Sequence, residues 1–256
     1  MLINVILFLL GSLYFLIVIS LGKADTDHTR RRWANWAGLY FRVLRFIFRN
    51  RIHFTGEPFK SDKGITVLNA NHTHNLDNLI LFAFYSGRPE EITSLSTLEN
   101  TSALDKKILQ LNSAITLEKN NIQGFLAECQ KKFRQYARRS YPTTLLTYFE
   151  GVALNHLPDA SSFYEFIGKP QYLAFQVLSD AFPGKAFYDF TMCYRVAGQP
   201  LKPKDPYFLW KLITTATVHI HSRLCHFPAK DADPIIYLDN LYREKNDHLK
   251  ALIKHG

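Results

Sequence analysis

The sequence predicts an α/β fold: a mostly parallel central sheet flanked by helices, preceded by an N-terminal transmembrane helix and an interfacial amphipathic helix. Three observations predict it. An uncharged apolar run extends from Leu2 to Leu21, a basic aromatic segment follows from Trp33 to Arg49, and short β-rich apolar runs then alternate with helical segments. The expected organisation is an anchor at 1–22, an interfacial helix at 23–52 and one α/β domain at 53–256. The 256 residues suffice for a sizeable core, and 47% apolar with 21% charged residues is a globular composition that excludes wholesale disorder, collagen and coiled coil. A net charge of +9 implies an acidic partner, nucleic acid or an anionic membrane surface.

Leu2 to Leu21 carries no charge, and about 20 helical residues rising ~1.5 Å each span the ~30 Å hydrocarbon core. A cleaved signal peptide is the alternative, since Gly22 and Ala24 suit a small-residue cleavage site. The missing basic n-region and the length of the apolar run favour an uncleaved anchor. Lys23, Arg30, Arg31 and Arg32 follow the run and no Lys or Arg precedes it, so the positive-inside rule puts the remainder in the cytosol, with a single pass.

At about 100° per residue, Trp33, Trp36, Tyr40, Val43, Leu44 and Ile47 fall on one helical face and Arg42, Arg45 and Arg49 on the other. Such a helix suits the headgroup plane of an anionic leaflet, and an ordinary amphipathic helix capping the core is the alternative. The basic residues are thereby accounted for without nucleic acid, for which no motif appears.

Ile65 to Leu68 reads as a strand ending in a polar loop with Asn69, Asn71 and His72, followed by a helix in DNLILFAFYS. Ile115 to Leu117 is a second strand, Ile122 to Arg138 a basic amphipathic helix, and TTLLTYFEG a third strand ending at Glu150 and Gly151. Phe187 to Tyr194 and Val218 to Leu224 are further strands. Alternation of this kind implies a largely parallel sheet whose sites gather at strand C-terminal ends. Pro200, Pro203 and Pro206 mark a surface loop. Cys129, Cys193 and Cys225 are odd in number and widely spaced, which argues for a reducing compartment and against a disulfide framework or zinc finger. Cys193 reads as a small core residue, and His219 and His221 as packing or surface residues rather than ligands.

Chemistry concentrates in Asn71-His72-Thr73-His74-Asn75-Leu76-Asp77. An Asp in the first helical turn can fold back onto the His of the preceding loop. Bonded to one imidazole nitrogen, it fixes the tautomer and leaves the other nitrogen free to accept a proton from a hydroxyl. With no serine or cysteine motif nearby, the nucleophile would be a substrate hydroxyl. His72 and Asp77 could instead merely cap the helix. A metal reading of His72, His74 and Asp77 is disfavoured, because metallohydrolase H-x-H-x-D-H motifs need the acid one residue earlier, where Leu76 stands, and another His after it.

NHTHNLD resembles the N-H-x-x-x-x-D motif of the glycerolipid acyltransferases, and the chain is similar to their eukaryotic branch of 1-acylglycerol-3-phosphate and lysocardiolipin acyltransferases. LLTYFEG resembles the strand leading into E-G-T-R, FYDFTMCY the V-Y-D-V-T strand, VHIHSR the H-x-H-x-R stretch, and YREKNDHL the C-terminal R-E-K-D-x-L helix. The likeness spans nearly the whole chain after the anchor.

The resemblance implies that His72 deprotonates the free sn-2 hydroxyl of lysophosphatidic acid for attack on an acyl-CoA thioester, giving phosphatidic acid, with Asp77 orienting His72. It implies acceptor binding at Glu150 and Gly151, no cofactor beyond acyl-CoA as co-substrate, no metal, and a place in the endoplasmic reticulum membrane with the catalytic domain cytosolic. No protein partner is inferable. Val152 and Ala153 stand where Thr and Arg are usual, and Glu118 occupies the arginine position of the F-I-x-R strand. Lys119 and Lys169 are the candidate substitutes. Either a lysine replaces arginine, or the acceptor is another lysophospholipid, such as lysocardiolipin or lysophosphatidylinositol, whose phosphate diester carries less charge. A non-catalytic, membrane-tethered lipid-binding protein is the remaining reading. Lys131, Lys132, Arg134, Arg138 and Arg139 would face CoA phosphates, the bilayer or solvent.

Overall fold

Strands and helices alternate along the chain: α1 Leu2–Leu21, α2 Asp27–Phe48, β1 Ile52–Gly56, β2 Ile65–Ala70, α3 Asp77–Tyr85, β3 Ile92–Thr97, α4 Ala103–Leu111, β4 Ile115–Leu117, α5 Ile122–Ala137 and β5 Thr143–Thr147. There follow a 3-10 turn Leu154–His156, α6 Tyr172–Ala181, β6 Ala186–Val196, β7 Gln199–Pro200, α7 Phe208–Thr214, β8 Thr217–His226 and α8 Pro234–His255. The structure is a computed structural model and describes residues 2–21, 27–61, 64–85, 92–97, 103–111, 114–117, 122–151, 153–156, 166–229 and 231–255. The fold is mixed α/β, with a parallel-dominated sheet flanked by helices, and the chain divides into two compact units.

The first unit comprises Met1–Asn50, Ser61–Thr66 and Asn78–Leu146. Its α1 is long and apolar enough to cross a membrane and leaves most of its leucines and isoleucines exposed. Phe15, Val18 and Ile19 are buried instead. Phe15 stacks on Tyr40 of α2 with ring centroids 4.6 Å apart, and Ser12 Oγ lies 3.3 Å from the Tyr40 hydroxyl. Gly11 permits the close approach, because a Cβ there would sit 3.1 Å from the Tyr40 ring.

This packing redistributes the face expected to lie in the lipid interface. Tyr40, Leu44 and Ile47 are buried, whereas Trp36, Leu39 and Phe46 are exposed. An uncharged helix alongside offers that face an apolar surface, which competes with lipid on equal terms. The Trp33 side chain lies outside the described residues. Arg45 donates from Nε to the Ala83 carbonyl at 2.9 Å, satisfying a carbonyl in the last turn of α3, while Arg42 and Arg49 stay exposed.

In the same unit β3 pairs in parallel with β4 and β5, with Leu95 opposite Ile115 and Thr93 opposite Leu145. Helix α5 buries Phe125, Cys129, Phe133 and Tyr136, spaced three or four residues apart, so that one stripe meets the core. Its opposite face exposes Lys131, Arg134 and Arg138 along a surface groove.

The second unit comprises Arg51–Lys60, Val67–Asp77 and Thr147–Gly256. Its strands run β1-β8-β6-β2, with β7 hairpinned onto β6. The β1–β8 and β2–β6 ladders are parallel, as expected of alternating strands and helices. The β6–β8 ladder, from Ala186 opposite His226 to Arg195 opposite Thr217, is antiparallel. Beneath α6 and α8, Phe175 meets Phe149, Phe187, Phe227 and Tyr237 in an aromatic core.

Polar groups line one face of this sheet because the register aligns them. Asn69 lies opposite Asp189, and Asp189 opposite Arg223. Asn69 Nδ2 donates to Asp189 Oδ1 at 2.7 Å, and the fully buried Lys245 ammonium of α8 sits 2.6 Å from the same oxygen. Arg223 reaches Asp189 Oδ2 at 3.3 Å and Glu244 of α8 at 2.5 Å. Farther along that face His221 packs on His248 and His219 on His53, at 4.1 and 4.9 Å between ring centroids. Cys129, Cys193 and Cys225 are free and buried.

Candidate functional site

The histidine loop belongs wholly to the second unit, between the end of β2 and the first residue of α3. β2 is buried throughout its second half, and where the apolar run stops at Ala70 the chain turns out at the strand's C-terminal end. Asn71 fixes the exit. Its Oδ1 accepts from Met192 N–H at 2.6 Å and its Nδ2 donates to Met192 O at 3.0 Å, tying the loop to β6. Leu154 N–H then donates to the His72 carbonyl at 2.9 Å, tying it to the 3-10 turn as well.

His72 Nδ1 lies 3.3 Å from Asp77 Oδ2. The Asp77 carboxylate is completely buried yet fully partnered. Oδ2 also accepts from the backbone N–H groups of Thr73 at 2.7 Å and His74 at 3.0 Å, and Oδ1 accepts from the Tyr194 hydroxyl of β6. Its place in the first turn of α3 adds the favourable end of the helix dipole. With Nδ1–H pointed at Asp77, the proton-accepting nitrogen of His72 is Nε2, on a ring that keeps 13% of its surface exposed. Tyr148 stacks on that ring, with centroids 4.0 Å apart and planes 17° from parallel. Burial holds the phenols of Tyr148 and Tyr194 well above their ordinary value, so both are neutral donors.

The other histidine of the loop faces elsewhere. His74 stacks flat on Phe208 at 4.2 Å, and its Nδ1 accepts from Leu76 N–H at 3.2 Å. Burial pushes His74 below its usual range, with Asp77 opposing. Among the described residues no three His, Cys, Asp or Glu side chains converge in a metal-ligating arrangement.

Glu150 follows β5 and is buried directly behind the loop. Oε2 accepts from Gly168 N–H at 3.0 Å, and burial, opposed by Lys245 and by the backbone N–H groups of Gly168 and His72, raises the carboxyl to about 8. It is therefore mainly a neutral acid at pH 7. Gly151 turns the chain with a φ of +72°, which favours glycine. Ala153, at the position where an acceptor-binding arginine was sought, is buried. Lys169 is exposed beside Gly168. Lys119, Glu118 and Val152 lie outside the described residues.

His72, Asp77, Glu150 and Gly151 thus gather around one loop. Sequence reasoning missed Tyr194 and Tyr148, and named Asn71 as part of the loop without a structural role. The signal for Tyr194 was available in part, since a buried carboxylate beside a histidine needs a donor for its second oxygen.

No family model matches the sequence, and no curated protein matches it. Among solved structures the chain is similar to the 1-acyl-sn-glycerophosphate (LPA) acyltransferase PlsC from Thermotoga maritima, at 14% identity over 97% of this chain and 98% of that chain, with a TM-score of 0.50. At that identity the likeness is one of fold.

Proposed function

We propose that this protein is a membrane-associated glycerolipid acyltransferase. The observation that carries the proposal is the His72–Asp77 pair, whose carboxylate is fully buried and bound by three further donors while the imidazole keeps 13% of its surface exposed. The fold likeness to an LPA acyltransferase and the order of motifs along the chain support the same reading.

In this reading His72 Nε2 takes the proton from the sn-2 hydroxyl of lysophosphatidic acid as its oxygen attacks the carbonyl of an acyl-CoA thioester. Asp77 holds the ring and stabilises the imidazolium that forms. The tetrahedral intermediate collapses with loss of the CoA sulfur, which leaves with the proton from His72 as the free thiol, and phosphatidic acid results. No metal enters any step. Helix α1 anchors the protein in the endoplasmic reticulum membrane, with the catalytic unit on the cytosolic side.

One observation favours a second acceptor class. The buried Ala153 leaves the acceptor-binding turn without the arginine fork that a phosphate monoester prefers, so a lysophospholipid with a phosphate diester, such as lysophosphatidylinositol or lysocardiolipin, fits that turn better. Thiol release from acyl-CoA, measured with purified full-length protein across these acceptors, tests both versions. Release with one or more acceptors supports the proposal and ranks them. Lysolipid binding with no thiol release under any pairing leaves a lipid-binding protein instead.

A further inference from the structure

The second unit exposes an aromatic surface that the catalytic reading does not use. The segment running into α7 reads Lys202-Pro203-Lys204-Asp205-Pro206-Tyr207-Phe208-Leu209-Trp210. Tyr207, Leu209 and Trp210 are 65%, 43% and 52% exposed, and Lys202 and Lys204 are exposed beside them. Three large apolar side chains within four residues are costly to leave in water, and a patch of this kind with a polar rim marks a contact surface.

The patch is held rigidly. Asp205 accepts from Tyr207 N–H at 2.8 Å and from the Lys211 ammonium at 2.6 Å, fixing the entry to α7. Phe208, between the exposed residues, turns inward. It stacks on His74 at 4.2 Å and meets the Tyr194 ring edge-on at 5.3 Å. The exposed aromatics therefore stand one side chain away from the loop that carries His72 and Asp77.

Chemistry selects the occupant. Trp and Tyr combine an apolar body with a hydrogen-bonding tip and favour the boundary between headgroups and acyl chains, and lysines at the rim attract anionic lipid. The same chain carries the uncharged α1, so a bilayer is at hand. We propose that Tyr207, Leu209 and Trp210 insert into the interfacial layer of an anionic bilayer and hold the histidine loop at the level of the lipid headgroups. A lysolipid then reaches His72 from the membrane without passing through water. That purpose rests on the acyltransferase reading, whereas the insertion itself does not.

The chain's three tryptophans are Trp33, Trp36 and Trp210, so Trp33→Phe with Trp36→Phe leaves Trp210 as sole reporter. This full-length variant is reconstituted in phosphatidylcholine vesicles with and without phosphatidylglycerol. The expected result is Trp210 fluorescence quenched by lipids brominated near the headgroup end of the acyl chain and shielded from aqueous iodide, more strongly with phosphatidylglycerol. Quenching by iodide alone, or shielding from both quenchers as a protein contact would give, overturns the proposal. A second arm compares Tyr207→Ser/Leu209→Ser/Trp210→Ser with the parent by thiol release. The ratio of rates on bilayer-embedded to micelle-dispersed acceptor should fall about tenfold, and an unchanged ratio counts against insertion. If the parent releases no thiol, the acyltransferase reading fails while the quenching still decides the surface.

Discussion

Tyr194 donates its phenolic hydrogen to Asp77 Oδ1, on the opposite side of the carboxylate from His72. A residue of β6 thereby completes the shell of an aspartate at the start of α3, and the sheet register sets the orientation of the loop histidine. Removing the hydroxyl in Tyr194→Phe leaves one oxygen of a fully buried carboxylate without that donor. Stability should fall by about 1–3 kcal/mol in denaturant titration. Under the proposed mechanism kcat should fall with little change in KM, since the buried phenol acts through Asp77.

Glu150 makes a prediction of definite sign. Its folded pKa of about 8 lies above the ordinary 4.5, so between these values the folded protein binds more protons than the unfolded chain. Stability contributed by this group is present at low pH and is lost as pH rises across that window, by on the order of 5 kcal/mol at most. Glu150→Gln, neutral at every pH, should flatten the decline. Chemical denaturation at a series of pH values, parent against variant, measures it.

The histidines of β8 and α8 act in the opposite direction. Burial lowers His219, His221 and His248 below the ordinary 6.5, with Arg195 and Arg223 adding to the shift and Asp189 opposing it at His221. Thr55 Oγ1, 3.0 Å from His221 Nδ1, and the His53 ring face them from β1. The unfolded chain takes up these protons first, so stability is present above about 6.5 and is lost as pH falls below it. Replacing His248 with Gln should reduce the acid sensitivity of the unfolding midpoint between neutral pH and the acid limb.

The fully buried Lys245 offers a sharper stability test. Its ammonium neutralises Asp189, which also holds Asn69. Lys245→Met leaves a buried carboxylate with, among the described residues, Arg223 at 3.3 Å as its counter-charge, and should cost about 3 kcal/mol. Adding Asp189→Asn should restore part of the loss, a coupling that a double-mutant cycle in denaturant detects.

What was legible in the sequence follows from what each residue's partner is. β2, β4, β5, β6 and β8 announce themselves as apolar or alternating runs because each has a buried face. β1 does not, since every residue from His53 to Gly56 is exposed and no period marks it. The seven-residue α7 has too few residues for a visible period, and the prolines before it mark only a surface loop. His72 and Asp77 lie five residues apart and could be paired from spacing alone. Tyr194 and Lys245 could not, because their partners lie more than fifty residues away and are brought to them only by strand register and helix docking. The fate of the aromatic face of α2 depended likewise on α1 packing against it.

The role of His72 as general base of an acyl transfer is open to direct measurement. Thiol release and diacyl product are followed together with purified full-length parent and His72→Ala, using acyl-CoA and the preferred lysophospholipid, after circular dichroism shows equal folding. The expected result is transfer by the parent and a loss of about 10²–10⁴ in kcat for the variant. Transfer by His72→Ala at the parent rate would contradict it.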